Sequence, residues 1–249
     1  MAWAYTTNRS VFLDFINRVD GKRIAIETII NLIEDIWNKN EIVISDIGAG
    51  NWIIASWIIS SIQNKINYRY NFIEPSQDLI NDFKEKSTSR NVIYFNKKLE
   101  QIDLLKSDII IASFIFQTLS DARNILDTMY QKLNSWWTIL IINQNKHNID
   151  YKLKELFWYT FPDITQNIIS QLDILGIHYT HEIKNWYFDW VDEILNLTQI
   201  WKNCLSFMLF KNFDSISNQE LKMVLDFIKD NSVNWKLPRK EDYIYITKS

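Results

Sequence analysis

The apolar positions of this chain change period several times, and each change marks an element. From residue 8 to 37 they recur at helical spacing (Phe12, Phe15, Ile16, Val19, then Ile26, Ile29, Ile30, Ile33, Ile36) with a break at Asp20-Gly21, which predicts two leading helices. The run Ile42-Val43-Ile44 then reads as a strand, Ile53 to Ile62 as a helix, Tyr68 to Ile73 as a second strand, Asp78 to Lys86 as a helix and Val92 to Asn96 as a third strand. Asp108 to Phe116 is almost continuously apolar, as a strand covered on both faces is. A helix over Asp121 to Leu133, a turn over Leu133 to Thr138 and a strand over Ile139 to Asn143 follow. Strands alternating with helices predict an open, mostly parallel α/β sheet.

From Lys146 the pattern differs. An aromatic helix, Tyr151 to Phe161, is closed by Pro162; a helix over Thr165 to Leu175 is stopped by Gly176; His178 to Ile183 alternates as a strand. Trp186, Tyr187, Phe188 and Trp190 lead into a helix over Val191 to Phe207, and a helix over Asn218 to Lys229 precedes a last strand, Asp242 to Thr247. With no repeat or low-complexity segment, the 249 residues read as one domain: leading helices over 1–40, a core over 41–145, and substrate-side helices and final strands over 146–249.

The chemistry concentrates where the first strand ends. Asp46-Ile47-Gly48-Ala49-Gly50-Asn51-Trp52 carries an acid and two alternating glycines straight into a helix, which sets free backbone N–H groups and a positive helix end at the carboxyl edge of the sheet. The dinucleotide pattern G-x-G-x-x-G fails at its third position, which is Ile53, so a nicotinamide oxidoreductase is disfavoured. The second strand ends in Glu74-Pro75-Ser76. A carboxylate there offers two acceptor oxygens in one plane to the two hydroxyls of a ribose.

Composition narrows the options. A net charge of −3 and an absence of Lys/Arg blocks give no electrostatic footprint for nucleic acid, so no such partner is expected. Cys204 is the only cysteine, which excludes a disulfide or a thiolate metal site within one chain and suits a cytoplasmic location. The longest apolar run, Ile109 to Phe116, is too short to cross a bilayer, and the N-terminal segment lacks the apolar core of a secretion signal. His178-x-x-His181 on a strand would point its rings to opposite faces, so no metal site is expected. His147, His178 and His181 are the groups that could act as a base if the acceptor arrives protonated.

One oddity remains. Glycine commonly makes up about 7% of residues, or roughly 17 in a chain of this length. Here there are 4, against 11 tryptophans. Trp52, Trp136, Trp137 and Trp186 stand where local geometry asks for glycine, which raises the hypothesis that some are UGA codons of an organism that assigns UGA to glycine. Codons reading UGG at these positions would dispose of it.

Together, Asp46-x-Gly48-x-Gly50, Ile73-Glu74-Pro75-Ser76, Asp108-Ile109-Ile110 with Leu119-x-Asp121, Phe161-Pro162 and Leu172-Asp173-x-Leu175-Gly176 resemble the class I S-adenosylmethionine-dependent methyltransferases, and within them the histamine N-methyltransferase-like branch. The resemblance runs from about Phe12 to Thr247. It implies a Rossmann-like, doubly wound, seven-stranded, mostly parallel sheet with N-terminal helices and a C-terminal substrate-side insertion. It implies S-adenosyl-L-methionine as cofactor, held by Asp46, Gly48, Gly50, Asn51, Trp52, Glu74, Ser76, Lys98, Ser113 and Phe114, with Gln117 at the reaction centre. Trp52 stands where the family usually has a third glycine, and Lys98 near where most of the superfamily has an acid. Leu133-Asn134-Ser135-Trp136-Trp137-Thr138 departs from the family's Leu-Lys-Pro-Gly-Gly-Thr at the two tryptophans. The implied activity is methyl transfer to a small molecule, with an amine nitrogen among the acceptors. Asp20 lies near the branch's substrate-binding acid. The competing reading is a methyltransferase-like binding module or partner subunit without catalysis, which gains weight if Trp52 is genuine.

Overall fold

The computed structural model describes residues 21–36, 40–50, 52–87, 89–119, 121–157, 159–188, 196, 198–209, 211–234 and 236–248. The first leading helix, Asp20, Asn51 and Trp190 lie outside the described residues. Two compact units divide the chain: one holds residues 22–143, 164–182 and 242–249, the other residues 1–21, 144–163 and 183–241.

The elements alternate as the hydrophobic pattern requires: α1 (Gly21–Glu34), β1 (Ile42–Ile47), α2 (Trp52–Ile62), β2 (Tyr68–Ile73), α3 (Gln77–Lys86), β3 (Val92–Phe95), β4 (Ser107–Ser113), α4 (Ala122–Lys132), β5 (Leu133–Gln144), α5 (Ile149–Glu155), α6 (Ile164–Leu175), β6 (Thr180–Phe188), α7 (Gln199–Leu209), α8 (Asn218–Asn231) and β7 (Leu237–Thr247). The seven strands form one sheet in the order β3-β2-β1-β4-β5-β7-β6. β1 pairs in parallel with β2 and β4, β2 with β3, and β4 with β5. The order reverses between β1 and β4, the switch point beside which open α/β sheets bind ligands.

Period-two alternation sorts the sheet side chains of the first unit onto two faces. Ile42, Ile44, Ile109, Ile111, Leu140 and Ile142 pack with Ala25, Ile29 and Ile33 of α1 and Ala55, Ile58 and Ile62 of α2. Ile47, Ile110, Ala112, Ile139 and Ile141 pack on the other face with Ile125, Leu126 and Met129 of α4 and Ile168 and Leu172 of α6. A polar link crosses three strands inside this core: Asn71 Nδ2 donates to Ser45 Oγ (3.0 Å), which lies 2.7 Å from Ser107 Oγ. On β7, buried Asp242 accepts from Thr165 of α6 (2.8 Å) and lies 2.8 Å from His181 Nε2 on β6.

The other unit has its own charged centre. Arg239 donates through both terminal nitrogens to Asp150 (2.8 and 2.5 Å), and its guanidinium lies 4.7 Å over the ring of Trp186. Lys154 is buried, 4.9 Å from the Phe161 ring centre, and burial pulls its ammonium down to about 8. Trp201 and Cys204 of α7 are fully enclosed.

Several boundaries differ from those the sequence predicts: β6 runs on to Phe188 instead of stopping at Ile183, and β7 begins at Leu237 instead of Asp242. The 133–138 segment is strand rather than turn, because Leu133 already pairs with Ser107 across an irregularity in the β4–β5 register. The aromatic helix starts at Ile149, where Asn148 caps it, and ends at Glu155, well before Pro162. His178 precedes β6 rather than lying within it. Gly176, at φ +66°, ends α6 as expected, with the Gly176 and Ile177 amides bonding back to Asp173 and Leu172.

Candidate active site

The turn after β1 is built on two left-handed glycines, Gly48 at φ +65° and Gly50 at φ +61°. A Cβ on Gly48 would lie 2.3 Å from Ile115 Cγ2, so the turn and the loop after β4 are closed on each other at this residue. The amides of Gly48 and Ala49 both reach the carbonyl of Ile73 (2.8 and 3.1 Å), which ties the turn to the end of β2.

Glu74 sits one residue further along β2. Its Oε2 accepts from the Gly50 amide and its Oε1 from the Ser76 amide, both at 2.9 Å. The carboxylate is thus 7% exposed, fixed at the glycine turn and not directed away from it. Each oxygen retains an acceptor site for a further donor. Burial raises its pKa, and the two amide bonds lower it in turn. Asn96 braces the loop from below, its Nδ2 donating to the carbonyls of Glu74 (3.3 Å) and Pro75 (2.9 Å).

Asp46 is 3% exposed on β1, and its Oδ2 accepts from the Tyr70 hydroxyl at 2.7 Å. Burial pushes its carboxyl up to about 7; the Tyr70 bond opposes this and the Glu74 charge adds to it. The sequence reasoning missed Tyr70, although it lies on strand β2, whose parallel pairing sets it against Ile44, two residues from Asp46.

At the neighbouring strand end, β4 stops at Ser113, Phe114 turns left-handed (φ +57°), and its amide is held by the carbonyl of Ile142 (2.8 Å). A short 3₁₀ turn over Phe116–Thr118 places half-buried Gln117 on this loop. Ser113 Oγ is enclosed and has no hydrogen-bond partner in the described structure. Asn143, 2% exposed at the end of β5, has neither its amide nitrogen nor its amide oxygen bonded. Asn143 was not among the residues singled out from sequence, where one more Asn in Ile-Ile-Asn-Gln-Asn carries no signal.

The remaining candidates fall around this edge. Trp52 opens α2, and its half-buried ring lies 4.4 Å beneath Lys86 Nζ of α3. Ser76 is the N-cap of α3, without a side-chain cap bond. Lys98 is exposed after β3, its amide meeting Gln101 Oε1 at 3.4 Å. Asn51 lies outside the described residues. The structure therefore sets Asp46, Gly48, Gly50 and Glu74 at the ends of β1 and β2, where Glu74 holds the Gly50 amide and Asp46 is held by Tyr70, with Ser113, Phe114 and Gln117 on the adjoining strand end. It joins neither Lys98 nor Ser76's hydroxyl to these residues.

No group of three or more His, Cys, Asp or Glu residues among those described could hold a metal ion. No described helix is long and apolar enough to cross a membrane.

No family model matches the chain, and no curated protein matches it in sequence. Solved structures do. The plantazolicin methyltransferase BamL, in complex with a triazolic desmethylPZN analog and SAH, superposes with a TM-score of 0.61 at 14% identity, covering 100% of this chain and 94% of its own. YcgJ from Bacillus subtilis gives 0.60 at 13% identity, covering 91% and 99%. A putative methyltransferase from Bacillus halodurans C-125 gives 0.57 at 10% identity, covering 89% and 100%. The chain has the Rossmann-like class I methyltransferase fold, as the seven-strand order indicates.

Proposed function

We propose that this chain is an S-adenosylmethionine-dependent methyltransferase acting on a small-molecule acceptor. The observation that carries the reading is Glu74 bonded to the Gly50 amide: an acid from the second strand fastened to the glycine turn of the first, at the switch point of the sheet. Several solved neighbours hold SAH, the product of such a cofactor, which supports the same reading.

The residues present fit that group. Glu74 retains acceptor capacity for the two ribose hydroxyls. The start of α2 offers free N–H groups to a carboxylate tail. Gly50 keeps the backbone bare where a ligand must approach, while Gly48 lets Ile115 close on the turn. Ser113 Oγ, enclosed and unbonded, and the left-handed Phe114 lie where the reacting methyl would be presented. Gln117, on the following turn, orients the acceptor.

When bound, the cofactor supplies an electrophilic methyl on a cationic sulfur. The acceptor's lone pair forms the new bond to carbon, the carbon–sulfur pair returns to sulfur, and the charge moves to the acceptor, which loses a proton if it began as an amine. The chain's contribution is alignment of the three atoms, with the Glu74 carboxylate supplying negative charge near the cation. The net charge of −3 argues against a nucleic-acid substrate. We favour an amine nitrogen as acceptor, on the resemblance to the histamine N-methyltransferase-like branch.

Titration calorimetry with S-adenosylhomocysteine and S-adenosylmethionine tests the first half, and methyl transfer from tritiated cofactor to a panel of small amines tests the second. Binding of both nucleosides with transfer to at least one amine is expected. No binding removes the proposal; binding with no transfer to any acceptor turns it into the binding-module reading.

A further inference from the structure

Residue 136 adopts a conformation made for glycine. The amide of Trp136 donates to the carbonyl of Lys248 (2.5 Å), while the amide of Lys248 donates to the carbonyl of the next residue, Trp137 (3.1 Å). Two residues of β5 thus face one residue of the chain just past β7, and the first of the two is left-handed, at φ +70°. That is the β-bulge whose first position is held by glycine, because a side chain there crowds its own backbone. Only two other non-glycine residues described here are left-handed, Phe114 and Asn234, and asparagine is the side chain that tolerates the region best. Phe114 is partly compensated: it packs against the core. Trp136 has no such return, since 77% of it is exposed, the largest exposure of any large apolar residue described.

An indole on the surface at a glycine position gains neither burial nor backbone ease. The other suspect tryptophans differ. Trp186 is 4% exposed in an ordinary strand beneath Arg239, Trp137 is half-buried against the core, and Trp52 begins a helix with no positive φ. Backbone geometry therefore singles out one of the four.

We infer that residue 136 is glycine in the protein as its own cell makes it, and that the tryptophan at this position is a UGA codon which that cell decodes as glycine. The count of 4 glycines in 249 residues then reflects the decoding and not the fold. The consequence for the binding site follows from the code. Any UGA at 52 is glycine as well, which extends Asp46-x-Gly48-x-Gly50 by a third alternating glycine and strips the indole from the first turn of α2. This inference does not depend on the methyltransferase reading: it stands on the bulge.

The direct test is to read the gene and to weigh the natural peptide spanning residues 133–146. UGA at 136, with a peptide mass corresponding to hydrogen in place of the indolylmethyl group, is the expected result; UGG, or the tryptophan mass in protein from the source organism, overturns it. Trp201, fully enclosed in α7, is the internal control and should read UGG. In purified protein, Trp136→Gly should raise the melting temperature by a few degrees, and Trp201→Gly should lower it strongly. A fall on Trp136→Gly would mean that the indole belongs there, and would equally overturn the inference.

Discussion

The two halves of the ligand edge are built differently. At the ends of β1 and β2 the Glu74 carboxylate is bonded through both oxygens, the Asp46 carboxyl is held by Tyr70, and the turn amides of Gly48 and Ala49 both find the carbonyl of Ile73. At the ends of β4 and β5, Ser113 Oγ and both amide atoms of Asn143 have no partner in the described structure, although the protein encloses them. The first half is preorganised and carries its strain as buried negative charge. The second carries its strain as unmet hydrogen bonds. On the proposed reading, the former suits a site that receives the same cofactor each time.

If the charge at the first half is the costly part, removing it should have the largest effect. Asp46 has its carboxyl raised by burial to about 7, so the folded protein holds a proton between about pH 4 and pH 7 that the unfolded chain has released. The stability contribution is therefore fully present below about pH 4 and is lost progressively as pH rises from there through 7, at a final cost on the order of 4 kcal/mol. Asp46→Asn, which still accepts from Tyr70, should raise the melting temperature at pH 8 by about 10 °C and leave it nearly unchanged at pH 4.5. An equal rise at both values would mean that the buried charge is not the cause.

Closure between the turn and the β4 loop predicts the next effect. Gly48→Ala places a methyl 2.3 Å from Ile115 and asks alanine to hold φ +65°, which should cost about 2–4 kcal/mol. Chemical denaturation measures this, and pairing with Ile115→Ala should recover the steric part but not the backbone part.

The smallest effect belongs to the second half. Asn143→Leu removes an enclosed amide with no bond to lose, and should stabilise the ligand-free protein by roughly 1–2 kcal/mol. Destabilisation of that size would mean that the amide is satisfied in solution, by an internal water for example.

Much of this edge was legible from the residues alone, for a physical reason: glycine, proline and isolated acids act locally. Gly48 and Gly50 are left-handed as the turn requires, and Glu74 ends β2 at the predicted place. Strand boundaries in the first unit shifted by a few residues at most, except at β5. There Asn-Ser-Trp-Trp carries turn chemistry in its first pair and a bulge in its second, and a bulge breaks the alternation by which strands are read. The pairing of Tyr70 with Asp46, the wedge of Ile115 over Gly48 and the isolation of Asn143 depend on register and on contacts across the fold. No single-chain pattern encodes those.

The central claim is that Glu74 grips the nucleoside. Calorimetric titration of S-adenosylhomocysteine into the wild-type protein and into Glu74→Ala, with circular dichroism to confirm that the variant is folded, tests it most directly. Two charge-assisted hydrogen bonds at about 1.5–3 kcal/mol each correspond to a loss of about 100-fold or more in affinity. A folded Glu74→Ala that binds the nucleoside as tightly as the wild type would contradict the account.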